Sequence, residues 1–306
     1  MPIGVSNGHP QYSGKQNGAF IPEVWAGKLL KKYYNSTVFG AITNTDYEGM
    51  IANKGDTVIV RQRPDLTVTP YTKGVDLVYE APTSVEKEFT IDYANYFAFE
   101  VKDVDDVQSD IALMDEFTTD ASTQLKLAVD SQLLAQIPSQ AHAQNSGATA
   151  GKISGNINLG TDAAPVGVTK DNILDLILDF GLCLDEQNVP ETGRWVVLPA
   201  WAVSLIKRSD LKDASLTGDG TTPLRNGRVG IIDRFTIYSS NQVNAAAGKF
   251  DIIAGHNDAT SFASQINKME TLRNQKDFGD YVRGLQVFGF KVMKPEALCH
   301  AVIQRG

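Results

Sequence analysis

Residues 44–74 read NTDYEGMIANKGDTVIVRQRPDLTVTPYTKG, and from Thr57 onward apolar and polar side chains alternate with the period of a β-strand. The alternation runs on well past the length of an ordinary strand. A matching pattern follows in SVEKEFTIDY, residues 84–93. Testing registers between the two stretches favours one in which facing residue numbers total about 149, a choice that rests on cross-strand complementarity. It sets Val58 against Ile91, Val60 against Phe89, Arg61 against Glu88 and Arg63 against Glu86. Apolar groups then meet on one face and opposite charges on the other.

The hairpin centre falls at Lys73 and Gly74 within YTKG, where a tight turn containing glycine is expected. Pro64, Pro70 and Pro82 exclude a central strand, but the free edges of a two-stranded ribbon tolerate a missing N–H. Each arm of ~16 residues spans on the order of 50 Å. A compact chain of this length has a radius of gyration of only ~19 Å. The hairpin is therefore expected to project beyond its own domain. Its outer half carries Leu66, Val68, Tyr71, Val75, Leu77 and Tyr79, with Lys73 at the tip. An isolated ribbon is marginal in water, so these residues are the expected contacts with another subunit.

The rest of the chain supplies the frame. Residues 1–19 are polar and glycine-rich, the composition of an arm that orders only against something else. FIPEVWAGKLLKKYYNS, residues 20–36, reads as a short helix with Pro22 and Glu23 in its first turn. Residues 104–137 form the longest helical pattern, striped by Val104, Val107, Ile111, Met114, Ala121, Leu125 and Ala128 and stopped by Pro138. A polar, glycine-rich stretch then reads as a surface excursion, with a lobe boundary near residue 165. TKDNILDLILDFGLCLDEQNVP reads as a helix capped by Thr169, RWVVLPAWAVSLIKRSD as a buried strand and a short helix, and GRVGIIDRFTIYSSNQV as a turn and a strand. This is an α+β arrangement without a βαβ repeat. The last segment is expected to return to the first lobe beside the long helix.

Composition narrows the function. The 306 residues carry a formal net charge of −8, with no Lys/Arg cluster of the kind that nucleic-acid binding requires. No stretch has the length of a membrane span or the form of a signal peptide. Cys183 and Cys299 lie in apolar sequence without metal or redox spacing and read as buried thiols. The acids at 103, 105, 106 and 110 lack the glycine of a calcium loop and suit a helix N-terminus. The four histidines lie in unrelated segments, the GDG at 218–220 sits in a polar loop, and no nucleophile elbow, zinc motif or phosphate loop occurs. A non-enzymatic protein with no cofactor and no metal is expected.

The order of parts, with IPEVWAGKLL, KGDTVIV, RWVVLPAWAVSLIK, GRVGIIDRFTIYSSNQV and VFGFKVMKPEAL, resembles the major capsid proteins of tailed bacteriophages, of the Hong Kong 97 fold. The resemblance spans nearly all of the chain after residue 20. It implies an N-terminal arm and short helix over 1–35, an extended hairpin loop and its base over 36–103, and a peripheral domain with the spine helix over 104–165. It further implies a mixed α+β axial domain over 166–265 and a return to the peripheral domain over 266–306. The implied function is self-assembly, as hexamers and pentamers, into an icosahedral head that encloses DNA without sequence-specific binding or a membrane. A separate scaffolding protein and a portal are the implied partners, because the short arm leaves no room for a fused scaffold. Assembly in the host bacterial cytoplasm is implied as well. One relative joins subunits through lysine, which draws attention to Lys73, although a tip lysine is ordinarily a solvated turn residue. The alternative within the fold is an encapsulin-like nanocompartment; a tail or surface adhesin would have no role for the spine helix.

Overall fold

A computed structural model describes residues 37–48, 57–61, 64, 66–74, 76–84, 86–102, 113–209, 230–275 and 277–306. The N-terminal arm and the helix at 20–36, the first turns expected of the long helix, Arg63, Val75 and the GDG loop lie outside the described residues.

Three sheets and one long helix organise the chain. Strands β1 (Thr57–Arg61) and β2 (Glu86–Thr90) form a two-stranded antiparallel ribbon. After Ile91 and Asp92 the chain continues as β3 (Tyr93–Lys102), which pairs with β11 (Gly279–Val292), itself paired with β10 (Thr260–Arg273). The long helix, Leu113–Gln136, lies on one face of this three-stranded sheet. There Gln136 accepts the Tyr93 hydroxyl, the side chains of Gln132 and Asn95 bond to one another, and Phe117 meets Phe99 edge-on. As expected, the helix ends ahead of Pro138. Burial along it is concentrated at Val129, Leu133, Leu134 and Ile137, whereas Ala121, Leu125 and Ala128 of the expected stripe are only half-buried.

The second lobe is a seven-stranded mixed sheet. Its main path runs β4 (Val166–Val168), β12 (Leu298–Arg305), β9 (Lys249–His256), β5 (Arg194–Leu198), β7 (Phe235–Ser239) and β6 (Ile231–Ile232), with β8 (Ala245–Ala246) added on β9. Every residue of β5 is buried, the signature of a strand covered on both faces. Helix Ile173–Glu186 and the short helix Ala200–Ile206 belong to the same core, burying Leu176, Phe180 and Leu184, and Ala202 and Ile206. The cap of the first helix is Asn172 rather than Thr169; the Thr169 backbone N–H instead donates to the Asn172 side chain at 2.7 Å.

Two expectations about topology need correction. β10 and β11 do return to the sheet beside the long helix, but β12 does not: it sits between β4 and β9. The reason is in LCHAVI, apolar at nearly every position, which fits a strand covered on both faces better than one with a wet face. The polar stretch after Pro138 is also no loose excursion. Leu159 accepts the Val302 backbone N–H, Asn145 donates to the carbonyls of Glu296 and Leu298, and Ala150, Ile157 and Leu159 are buried. One continuous core runs from Val129 and Leu133 of the long helix through Leu159 into the second lobe.

The two cysteines, distant in sequence, meet in that core: both are buried free thiols. Burial pushes the Cys299 thiol well above its usual range, and the Cys183 thiol hydrogen-bonded to it adds to the shift.

Candidate assembly surfaces

The base of the hairpin is anchored firmly. Phe89, Ile91, Ala263 and Met293 form a small buried cluster against which Val58, Val60, Tyr47 and Val287 pack. On the same ribbon face, Lys87 donates to the Met293 carbonyl at 2.7 Å.

The register differs from expectation by two residues. Val58 faces Phe89, Ile59 faces Glu88, Val60 faces Lys87 and Arg61 faces Glu86, so paired numbers total 147. Arg61 therefore meets Glu86, at 3.5 Å, and not Glu88. A two-residue slip returns every side chain to the same face, so alternation could not discriminate between the two registers. The turn does discriminate: the midpoint of the observed register falls between Lys73 and Gly74, where the chain turns, and Gly74 has φ +90°. A side chain there would be strained.

Beyond Arg61 the regular ladder stops, and every described residue from Pro64 to Ser84 is exposed. Register is nonetheless kept by a side-chain link, since the Thr67 backbone N–H donates to the Glu80 carboxylate at 3.0 Å and that pair also totals 147. Continuing this register sorts the outer hairpin into two faces. Leu66, Val68, Pro70, Leu77, Tyr79 and Ala81 fall on one face, bounded by Thr72 at the turn end and Thr83 at the base. Thr67, Thr69, Tyr71, Asp76, Val78 and Glu80 share the other. Val68 is 93% and Tyr79 88% exposed, an arrangement that costs hydrophobic free energy in an isolated subunit. Of the contact residues expected from sequence, Leu66, Val68, Leu77 and Tyr79 fall on one face of that continued register and Tyr71 on the other, while Lys73 occupies the turn.

A second apolar surface lies on the three-stranded sheet, on the side away from the long helix. Cross-strand register aligns Tyr96, Leu285 and Lys268 in one row, Ala98, Arg283 and Glu270 in the next, and Glu100, Tyr281 and Leu272 in a third. Tyr96, Leu285, Leu272 and Tyr281 are all exposed there. Tyr96 and Leu285, with Ala98, Lys268, Glu270 and Arg283, line a shallow trough of about 510 Å³. Arg283 donates to Glu270 at 2.6 Å, and this hydrogen bond, together with the nearby guanidinium charge, holds the Glu270 carboxyl below the usual carboxylate range. Nothing in the sequence reading singled out this surface, because it appears only when strands far apart in the chain are brought side by side.

Among the described residues no cluster of three or more His, Cys, Asp or Glu is disposed to hold a metal, and no helix is long and apolar enough to cross a membrane. The chemistry on offer is that of contact: an anchored, exposed, one-sided apolar ribbon and an exposed apolar sheet face.

The chain belongs to the phage capsid protein family, whose profile matches residues 86–301. A solved structure from Mycobacterium phage Che8 superposes with a TM-score of 0.78 at 29% identity, covering 92% of this chain and 97% of that one. The cyanophage Pam1 capsid asymmetric unit gives 0.72 at 12% identity, over 94% and 97% of the two chains. The capsid of cyanophage P-SCSP1u gives 0.69 at 14% identity, over 94% of each. At such low identity the last two show the shared fold. No curated protein matches the sequence. The protein is thus a major capsid protein, a structural component of the virion that forms the icosahedral phage head.

Proposed function

We propose that the hairpin is the principal inter-subunit element of this shell: each lies across a neighbouring copy and buries its apolar face there, while each N-terminal arm orders against an adjacent subunit. The observation that carries the reading is the solvent exposure of a whole apolar ribbon face on a base that is itself well packed. Contacts of modest individual strength become a stable head through repetition around closed symmetry. The shell is of the Hong Kong 97 type, built of hexamers and pentamers in the host cytoplasm, with a separate scaffolding protein and a portal as partners. It performs no catalysis and needs no cofactor.

The enclosed DNA is held without sequence recognition. A net charge of −8 supports this, since an acidic wall lacks the Lys and Arg from which counterion release draws affinity. A container filled by a motor gains from not adsorbing its contents. Deleting Leu66 to Glu80 tests the reading: expressed particles should be lost in electron micrographs while the subunit stays folded, and normal particle formation by the deletion variant would refute it. Nuclease-protected DNA in purified wild-type particles is expected for a phage head and not for a protein-filled compartment.

A further inference from the structure

We infer that Cys183 and Cys299 are a disulfide-forming pair within the subunit, reduced while the chain folds and assembles and joined by a small peroxide once the particle has left the reducing interior of the cell. The timing rests on assembly in the host cytoplasm, as proposed above; the pairing rests on the geometry of the second lobe.

The pair exists only in the fold. Cys183 is a buried residue of helix Ile173–Glu186, and Cys299 lies near the start of β12, against which that helix packs. Both are fully buried in the one continuous core, and their thiols are hydrogen-bonded to one another. A disulfide needs two side chains that point at each other from backbones about 5.5–6 Å apart. Thiols already in mutual contact meet the requirement of direction. Cys299 is held from the other side, since β12 is an interior strand whose ladder to β9 sets Cys299 against the small Ala254.

A buried cation stands beside the two sulfurs. The Arg194 guanidinium, wholly out of solvent, donates to the carbonyl of Gly181, two residues ahead of Cys183, at 3.5 Å. Burial is the larger influence on Cys299 and keeps its thiol protonated, with Cys183 adding to the shift and the Arg194 charge opposing it. Attack requires the thiolate, so closure is slow and follows assembly without competing with folding.

The oxidant has to be small, because both sulfurs lie behind packed side chains. With hydrogen peroxide the steps balance. The Cys299 thiolate attacks one peroxide oxygen, the O–O bond breaks, and the departing hydroxide takes up the thiol proton as water, leaving a sulfenic acid. Cys183 sulfur then displaces the sulfenic oxygen, which leaves as a second water, and the S–S bond forms. The protein loses two electrons and the peroxide gains them. The new bond ties the outer helix to a central strand and closes a long loop of chain, the case in which a cross-link restrains the unfolded state most. Outside the cell no reductant pool reverses it.

Mass spectrometry of full-length wild-type protein tests the inference without any substitution. Subunits trapped by an alkylating maleimide during cell lysis should carry two maleimides each. Purified particles treated with dilute hydrogen peroxide, then unfolded in maleimide without reductant, should give subunits two hydrogens lighter with no maleimide added, and tryptic peptides holding Cys183 and Cys299 should be found joined. Treated particles should also melt about 5–10 °C above untreated ones. Cys183→Ala should abolish that increase.

Two maleimides per subunit after peroxide, sulfinic or sulfonic acids without a joined peptide, or a ladder of linked subunits on a non-reducing gel would each overturn the pairing. An unchanged melting temperature in joined subunits rejects the stabilising role. A joined peptide already present in subunits trapped at lysis overturns the timing. Shells seen in the cytoplasm of sectioned cells test the site of assembly separately, so the two readings fail by different observations.

Discussion

Strand β5, RWVVL, and the hairpin stretch LTVTPYT both read as extended chain in sequence, yet every residue of the first is buried and every residue of the second exposed. Residue preference for extended backbone is common to both; what differs is the supply of covering surface. β5 lies between β7 and β9 with helices among its core neighbours, so its free energy is settled within the subunit. The hairpin has its base settled within the subunit, and on the function proposed above its outer half is settled against a neighbouring copy. Stability and assembly are thereby divided between two regions, and substitutions should separate them.

The largest expected effect is on assembly. Replacing Leu77 and Tyr79 together by serine should abolish particles in sedimentation and electron microscopy. In the unassembled subunit the same change should move denaturation free energy by no more than about 0.5 kcal/mol, the range of exposed surface positions. A large loss of subunit stability would break the comparison. The complement is Phe180→Ala, a fully buried ring in the second lobe. It should cost about 3–5 kcal/mol in denaturant titration of the subunit. Any failure of this variant to assemble should track its unfolded fraction.

Both halves of this division were partly legible in sequence. The hairpin, its turn at Lys73 and Gly74, the exclusion from a wide sheet and the strand-helix order of residues 194–206 follow from local signals: alternation, glycine and proline placement, and runs of apolar residues. The register slipped because β-periodicity is blind to a shift of two, and Arg61 finds a glutamate at either Glu86 or Glu88. The position of β12 was missed because its parallel pairing with β4 links residues far apart in the chain and carries no local turn signal. The sheet face at Tyr96 and Leu285 was invisible for a related reason. Each residue there looks like an ordinary exposed strand position until β3, β11 and β10 are laid in register. The meeting of Cys183 and Cys299 likewise depends on β12 reaching the second lobe.

Two carboxyls sharpen the comparison further by responding to pH in opposite senses. Asp185 terminates the helix of the second lobe, 2.6 Å from the fully buried Arg194 and 3.0 Å from Arg234. Partial burial raises its pKa, but hydrogen bonds and charge from the two guanidinium groups more than offset this and hold it below the usual carboxylate range. A depressed carboxyl contributes stability that is present above the unfolded pKa and lost as pH falls through the folded one. Asp185→Asn should therefore cost about 1 kcal/mol at neutral pH, a value reduced by the partial exposure of the pair. The deficit should shrink as pH drops below about 4.

Asp130 has the opposite sign and the smaller effect. It sits on the long helix with one oxygen accepting the backbone N–H groups of Val38 and Phe39, at 3.0 and 2.8 Å, and its other oxygen buried without a hydrogen-bond partner among the described residues. Burial raises its pKa, and the two backbone donors pull it down only in part. The ionised form is therefore the costly one in the fold, so this group adds stability at low pH that is lost as pH rises through its folded pKa. Asp130→Asn keeps an oxygen for both donors and removes the charge. At pH 8 it should gain up to about 1 kcal/mol over wild type, and the gain should shrink as pH falls toward the ordinary carboxylate range. Asp130→Ala separates charge from bonding, because it leaves two backbone donors unpaired and should lie about 1–3 kcal/mol below the asparagine variant at every pH. A pH-independent difference between the asparagine variant and wild type would mean that folding does not shift the Asp130 carboxyl, and its two bonds to the backbone would then serve only to tie residues 38 and 39 to the long helix.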